Sequence, residues 1–275
     1  MKLLFPARIE GPVSMKNSRK DSSCFSESHA FDGVMKLSRN HIRAVTFDAY
    51  GTILRLRRPF ERLSEELARI GLQVPMETVT KAFLKEMVYY RDHHLEGNNP
   101  ENLLSLRLRC AAFLFRMLAH EGYTAEVSRE RQLEVLMGAI RFELYEDALT
   151  ALDWCMAHGL ATGVISAWDC SLVATLKELC SHPFSRVVVS AIEGVDKSDA
   201  GLFLKAAQGL GLAPSQIIHI GDDVDHDFLG AEKAGMTPVL LDREQTHSNI
   251  GPHRIESLEE FPTLFDQLFR FPYRP

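Results

Sequence analysis

Five apolar, β-branched runs of five or six residues, spaced by helical patterns, constrain this chain more than any other feature. They cover residues 42–47, 161–166, 186–190, 216–220 and 237–241. Runs this short and this uniformly apolar suit strands covered on both faces, as in a parallel sheet. Between them, residues 146–158, 171–180, 200–209 and 227–234 place apolar side chains at helical spacing. Strand and helix in alternation predict an α/β fold with a doubly wound, mainly parallel sheet. One connection breaks the rhythm. Over a hundred residues separate the first run from the second, and they are helical in pattern: Phe60, Leu63, Leu67, Ile70; then 79–95; then Leu104, Leu108, Ala111, Leu114, Met117; then 130–140. Structureless connections of that length are uncommon in compact domains. The expectation is an all-α cap domain over 57–145, inserted into a sheet domain built from 41–56 and 146–275. It should lie over the carboxyl ends of the strands. Its apolar face at Phe113, Leu114 and Met117 is assigned to the cap's own core.

Composition narrows the function. The 275 residues carry a formal charge of −6, so no global field exists to hold nucleic acid or an anionic membrane. Neither is expected as a partner, and an anionic substrate must be held locally, by a metal ion, a lysine or backbone N–H groups. The five cysteines, at 24, 110, 155, 170 and 180, form no C-x-x-C pair, which fits reduced thiols and a cytoplasmic setting. No run approaches the roughly 20 apolar residues of a membrane span. Residues 1–40 mix Ser, Gly and alternating charge without a period and read as a flexible tail. Met15 and Met35 offer alternative starts, and Pro6 breaks the opening segment too early for a secretory signal. The oligomeric state is left open between monomer and homodimer.

Four segments carry the chemistry. Asp48 follows the first run in Asp48-Ala49-Tyr50-Gly51-Thr52. A carboxylate there can attack an electrophile, because ligands of open α/β sheets bind beyond the carboxyl ends of the strands; as a turn residue it would bond its own backbone instead. Ser166 closes the second run, where a hydroxyl suits a phosphate oxygen; taken alone it reads as a structural residue, with Asp169 as the N-cap of the next helix. Lys197 precedes a helix in Asp196-Lys197-Ser198-Asp199 and is either solvated or a counter-charge. Gly221-Asp222-Asp223-Val224-Asp225-His226-Asp227 follows the fourth run. Four carboxylates so close repel unless a cation compensates, and Asp222 with Asp48 would suit magnesium. The competing reading is an acidic loop whose Asp225 or Asp227 caps the next helix.

Together these segments resemble the four motifs of the haloacid dehalogenase-like hydrolases: D-x-x-G-T, then Ser or Thr, then Lys, then G-D-D with a later Asp. The resemblance covers residues 42–268 and implies a Rossmann-like core. By that likeness Asp48 attacks phosphorus to give an aspartyl-phosphate, and Thr52 orients the nucleophile's loop. Ser166, Ala167 and Lys197 hold the phosphoryl group. Mg²⁺ is held by Asp48, the Tyr50 carbonyl and Asp222, with Asp227 in support. The implied activity is a phosphatase acting on a small phosphorylated metabolite. Tyr50 departs from the pattern, standing where phosphatases of the family carry a second Asp that serves as acid and base. Asp-Ala-Tyr-Gly-Thr is also similar to the first motif of metal-free 2-haloacid dehalogenases, which have Ser and Asn in place of Asp222 and Val224, and Tyr in place of Phe203. A third reading is a weakly active or non-catalytic phosphometabolite-binding protein. In the cap, Arg91, His93 and His94 read as a solvated helix surface. Arg55, Arg57 and Arg58 lie near the hinge, and His219 reads as a packed core histidine.

Overall fold

A computed structural model describes residues 41–247 and 250–268. The tail expected over 1–40 lies outside the described residues. In chain order the elements are β1 (Ala44–Phe47), β2 (Leu54–Leu56), α1 (Pro59–Arg69), α2 (Met76–His93), α3 (Pro100–His120), α4 (Arg129–Ala139), β3 (Phe142–Leu144), α5 (Glu146–Ala157), β4 (Ala161–Ser166), α6 (Leu172–Leu179), β5 (Arg186–Val189), α7 (Ser190–Glu193), α8 (Ala200–Leu210), β6 (Ile217–Gly221), α9 (Leu229–Lys233), β7 (Thr237–Leu241), β8 (Arg254–Ile255) and α10 (Phe261–Leu268).

Six strands form one sheet in the order β5-β4-β1-β6-β7-β8, and every pairing is parallel. All five expected strands are present. Strand alternation sorts their side chains into two layers. Val45, Phe47, Val164, Ile218 and Ile220 pack with α5, α6 and α10 on one face. Ala44, Ile165, Val188 and Ile217 pack with α8 and α9 on the other. The chain leaves β1 for β4 on one flank and later returns to β6 on the other, so the strand order reverses beside β1. In open sheets of this kind, that reversal opens the crevice where ligands bind.

Helices α1–α4 sit between β2 and β3 and bury a separate core of Leu63, Leu67, Phe83, Leu106, Leu114 and Leu118. Leu114 and Met117 belong to that core, as the sequence implied. Asn99 and Ser128 start α3 and α4 by accepting from the backbone N–H of Asn102 and Arg131. The antiparallel pair β2 and β3 carries the chain into this unit and out again, with Arg55 and Glu143 as cross-strand partners whose side chains pair at 2.8 Å. The ribbon thus straddles the expected boundaries, with β2 inside 41–56 and β3 inside 57–145. Both strands have three residues, too few to show a period. Four polar contacts fasten the helices to the sheet unit: Tyr90 to Asp169 at 2.7 Å, His94 to Ser190 at 2.9 Å, Arg107 to Ser171 at 3.2 Å, and the Cys170 N–H to the Gly97 carbonyl at 2.8 Å. Among the described residues no helix is long and apolar enough to cross a membrane.

Candidate active site

The backbone N–H of Asp48 donates to the Ile220 carbonyl at 2.8 Å, so strand pairing itself sets where this carboxylate stands. Ser166 ends β4 and Asp222 follows β6, the two strands that flank β1. Ser166 Oγ donates to Asp48 Oδ1 at 3.2 Å. Carboxylate oxygens of Asp48, Asp222 and Asp227 lie within 4.8 Å of one another. Lys197, 2% exposed, reaches in from the turn before α8, and its ammonium pairs with both Asp48 and Asp227. A loop lysine that sequence alone leaves open to solvent is therefore a buried counter-charge.

Five expected site residues thus converge: Asp48, Ser166, Lys197, Asp222 and Asp227. Thr52 is fully buried beside them, and its hydroxyl is the one buried side-chain oxygen without a hydrogen-bond partner among the described residues. Ala167 is exposed next to Ser166, and Tyr50 borders the same crevice. Asp223 and Asp225 do not join the cluster. Asp223 caps the next helical turn by accepting from the N–H groups of Asp225 and His226, the role sequence assigned to Asp225 or Asp227. That turn is a π-helix over Val224–Phe228 leading into α9, in place of a helix beginning at 227. Asp227 lies in this turn at 2% exposure, its carboxylate held by Lys197, His219 and the Asp223 N–H.

Two supporting residues have no motif. His219 is buried and packs edge-on against Phe203 as a core residue should, with ring centroids 5.0 Å apart. Yet its Nε2 lies 2.9 Å from Asp227 Oδ1 and its Nδ1 lies 3.0 Å from the Thr46 hydroxyl. A carboxylate only accepts, so Nε2 carries the proton and Nδ1 accepts from Thr46. Thr46 and His219 are register partners on the face of the sheet that packs against α8. A polar residue within an otherwise apolar strand, two positions before the G-D-D segment, was the available signal. Arg243, after β7, donates to the carbonyls of Gly51 and Thr52 at 3.4 and 2.9 Å and to Asp147 at 2.7 Å. It holds the loop that follows the nucleophile, and no spacing rule points to it.

Electrostatics follow from crowding. Burial first, then the Asp227 charge, raises Asp48 to about 6 even though Lys197 opposes the shift. Asp222 is pushed well above the ordinary range by surrounding protein and by the charges of Asp48 and Asp227. Since Asp222 still reaches solvent, the neighbouring charges are the firmer cause. Burial also works against ionised Asp227, but Lys197 and His219 outweigh it and hold the carboxyl well below its usual value. Tyr50 is raised far above 10, by burial, then by Tyr145 and Asp222, so its phenol is neutral near pH 7.

Two glycines leave the room this cluster needs. A Cβ at Gly51 (φ +89°) would stand 2.3 Å from Asp222 Oδ2, and one at Gly221 would stand 2.1 Å from Asp227 Cγ. Gly221→Ala must displace a buried, ion-paired carboxylate. It is expected to lose about 1–3 kcal/mol of stability, read by urea titration. An unchanged midpoint would show that Asp227 can move freely.

Above Ala167 and Tyr50 a cavity of about 150 Å³ runs up between α2, α3 and the end of α4. His94 is buried and so is not the solvated surface expected of it, whereas Arg91 lines the cavity while its side chain stays partly open to solvent beside Asp92. His93 stacks on Tyr89, with ring centroids 4.2 Å apart. Arg55 and Arg57 pair with Glu143, and Arg58 pairs with Glu65. Glu86 lines the cavity at 3% exposure, and burial raises it to about 7 against a mild opposing bond from Cys110. A carboxyl raised on folding loses stability as it ionises. Relative to Glu86→Gln, the wild-type fold should weaken as pH rises from about 4.5 to about 7 and then hold a constant deficit. Parallel pH profiles of thermal midpoint would rule this out.

The family model for haloacid dehalogenase-like hydrolases matches residues 42–235. The chain is 28% identical over 235 residues to haloacid dehalogenase-like hydrolase domain-containing protein 3 of Danio rerio, spanning 80% of this chain and 95% of that protein. It is 25% identical over 231 residues to the glyceraldehyde 3-phosphate phosphatase of Methanopyrus kandleri, spanning 80% and 92%. Among solved structures, the defluorinating L-2-haloacid dehalogenase Rha0230 superposes with a TM-score of 0.63 at 19% identity, over 82% of this chain and 95% of that one; at such identity the likeness speaks for the fold alone. With three motif residues at adjacent strand ends meeting a lysine from the turn before α8, and a family match over most of its length, this chain belongs to the haloacid dehalogenase-like hydrolases.

Proposed function

We propose that the protein is a magnesium-dependent phosphatase of small phosphorylated metabolites, acting in the cytoplasm with α1–α4 as a cap over its site. One observation carries the reading: three carboxylates share a site with a single buried lysine. Fully ionised, they exceed it by two negative charges, the deficit a divalent cation fills. The donors are hard oxygens, as magnesium prefers, and Gly51 and Gly221 keep side-chain bulk away from them. Asp48, the Tyr50 carbonyl and Asp222 would hold the ion, with Asp227 in support. The ion supplies charge neutralisation for the phosphoryl oxygens.

The chain's own residues do the rest. Asp48 attacks phosphorus, the leaving oxygen departs with the bond electrons, and water later cleaves the acyl phosphate. Lys197 and Ser166 already contact Asp48 Oδ1, which places them beside the incoming phosphoryl group. Ala167 lines the same approach and Thr52 steadies the loop. Phosphoryl transfer asks for little beyond such positioning and charge. Tyr50 sets the limit. A neutral phenol is a poor base, and absent acid–base help costs about 10²–10⁴-fold. Substrates whose leaving group needs no proton, such as acyl or aryl phosphates, suit this site best. Displacing halide from carbon needs no cation, which would leave Asp222 without a task.

The test is a Mg²⁺ titration of p-nitrophenyl phosphate hydrolysis beside chloride release from 2-chloropropionate. Metal-dependent phosphate release supports the proposal. Metal-free chloride release would replace it with a dehalogenase, and silence in both assays with Mg²⁺ still bound would leave a binding protein.

A further inference from the structure

The cavity above the carboxylates has a wall that is mostly apolar, with Phe83, Met87, Leu136 and Trp168 among its residues. Its polar groups are nearly all engaged with each other. Tyr90 donates to Asp169 at 2.7 Å, Asp169 accepts from the Ser171 N–H at 2.8 Å, and Arg107 donates to Ser171 Oγ at 3.2 Å. Glu86 is the exception. Beside it in the lining stands Cys110, whose thiol is at best a weak donor. Buried carboxyls ordinarily find stronger partners, because desolvation without them is costly. Its buried neighbours on α2 are Val79, Ala82 and Phe83, so an apolar residue would satisfy the packing there.

We infer that this cavity receives the organic part of the phosphorylated substrate, a predominantly apolar group about the size of a substituted benzene ring, bearing a neutral hydroxyl that donates to Glu86. The inference rests on the phosphatase reading for what stands at Asp48. Size follows from volume: an apolar cavity of about 150 Å³ accommodates benzene. Neutrality of the donor follows from the walls. Arg91 and Arg107 both line the cavity against one further carboxylate, Asp169, which already accepts from Tyr90 and the Ser171 N–H, so an ammonium brought to Glu86 would face an excess of positive charge. A hydroxyl meets no such opposition, and it can donate to Glu86 whether that carboxyl is ionised or not. Glu86 is thereby a specificity-determining residue, standing on a helix remote in sequence from all four motifs.

Three non-hydrolysable probes separate the parts of this claim: methylphosphonate, 4-methylbenzylphosphonate and 4-(hydroxymethyl)benzylphosphonate. Each is titrated calorimetrically into the full chain with Mg²⁺. The dissociation constant should fall about tenfold or more from the first to the second, as apolar surface is buried. It should fall about tenfold again from the second to the third, as the hydroxyl meets Glu86. Glu86→Leu should keep the first step and abolish the second, and Glu86→Gln, which retains an acceptor, should keep part of it. Equal affinities for all three probes, no binding of any, or a second step that survives Glu86→Leu would each overturn the inference. Turnover of p-nitrophenyl phosphate is read separately. Turnover with a flat ladder removes the cavity's role and leaves the phosphatase; a full ladder without turnover removes the phosphatase and leaves the cavity.

Discussion

Asp48→Asn should abolish Mg²⁺-dependent hydrolysis of p-nitrophenyl phosphate, by on the order of 10⁴-fold or more, with the fold intact. The amide matches the carboxylate in shape but cannot attack phosphorus, and it brings one less negative charge to a cation. Structural damage should be slight for two reasons. Lys197 keeps Asp227 as its partner, so the buried ammonium is not stranded. The carboxyl being removed is itself disfavoured by burial, which is why it stands near 6. Circular dichroism melts should therefore overlay within a few degrees while the assay goes silent. Residual activity above about one part in a hundred, with the same magnesium dependence, would show that another group is the nucleophile.

Lys197→Met should be the most damaging single change to stability. The methionine fills much of the same volume, so the loss is chiefly one of charge. Asp48 and Asp227 would then face each other, buried and without their shared cation, beside Asp222. Breaking a buried ion pair on one side typically costs about 3–5 kcal/mol. The sign of its pH dependence follows. Without the lysine, both buried carboxyls titrate above their unfolded values, so ionisation opposes folding. The deficit should be largest above neutrality and shrink as pH falls toward 5 and the carboxyls protonate. Mg²⁺ should restore part of the loss by supplying positive charge. Urea titrations at pH 5 and 8, with and without Mg²⁺, measure all three effects. A deficit under 1 kcal/mol at pH 8 would mean that the carboxylates do not depend on this lysine.

Much of this architecture is legible in the chain because strands buried on both faces announce themselves as apolar runs. β1, β4, β5, β6 and β7 stand within a residue or so of where those runs lie. β2, β3 and β8 are two or three residues long, below the length at which alternation means anything. The candidate cluster was legible only from four segments taken together, since each alone has an ordinary reading as a turn, a cap or a solvated loop. The π-helix after β6 was not, since a shift in hydrogen-bond register leaves no trace in composition. The same letters also hide burial. Lys197 in a polar turn and Glu86 beside Lys85 both look solvated in sequence, and only the packing of distant segments puts them inside. Arg243 acts on carbonyls that any residue could supply, so nothing in the sequence marks its partners.

The two short strands at the base of the helical unit have a further meaning for how such a molecule diversifies. Because Leu54 lies opposite Leu144 and Leu56 opposite Phe142, the chain departs and comes home at nearly the same spot. Whatever hangs from that doorway can be exchanged, enlarged or reshaped without asking the catalytic floor to rearrange.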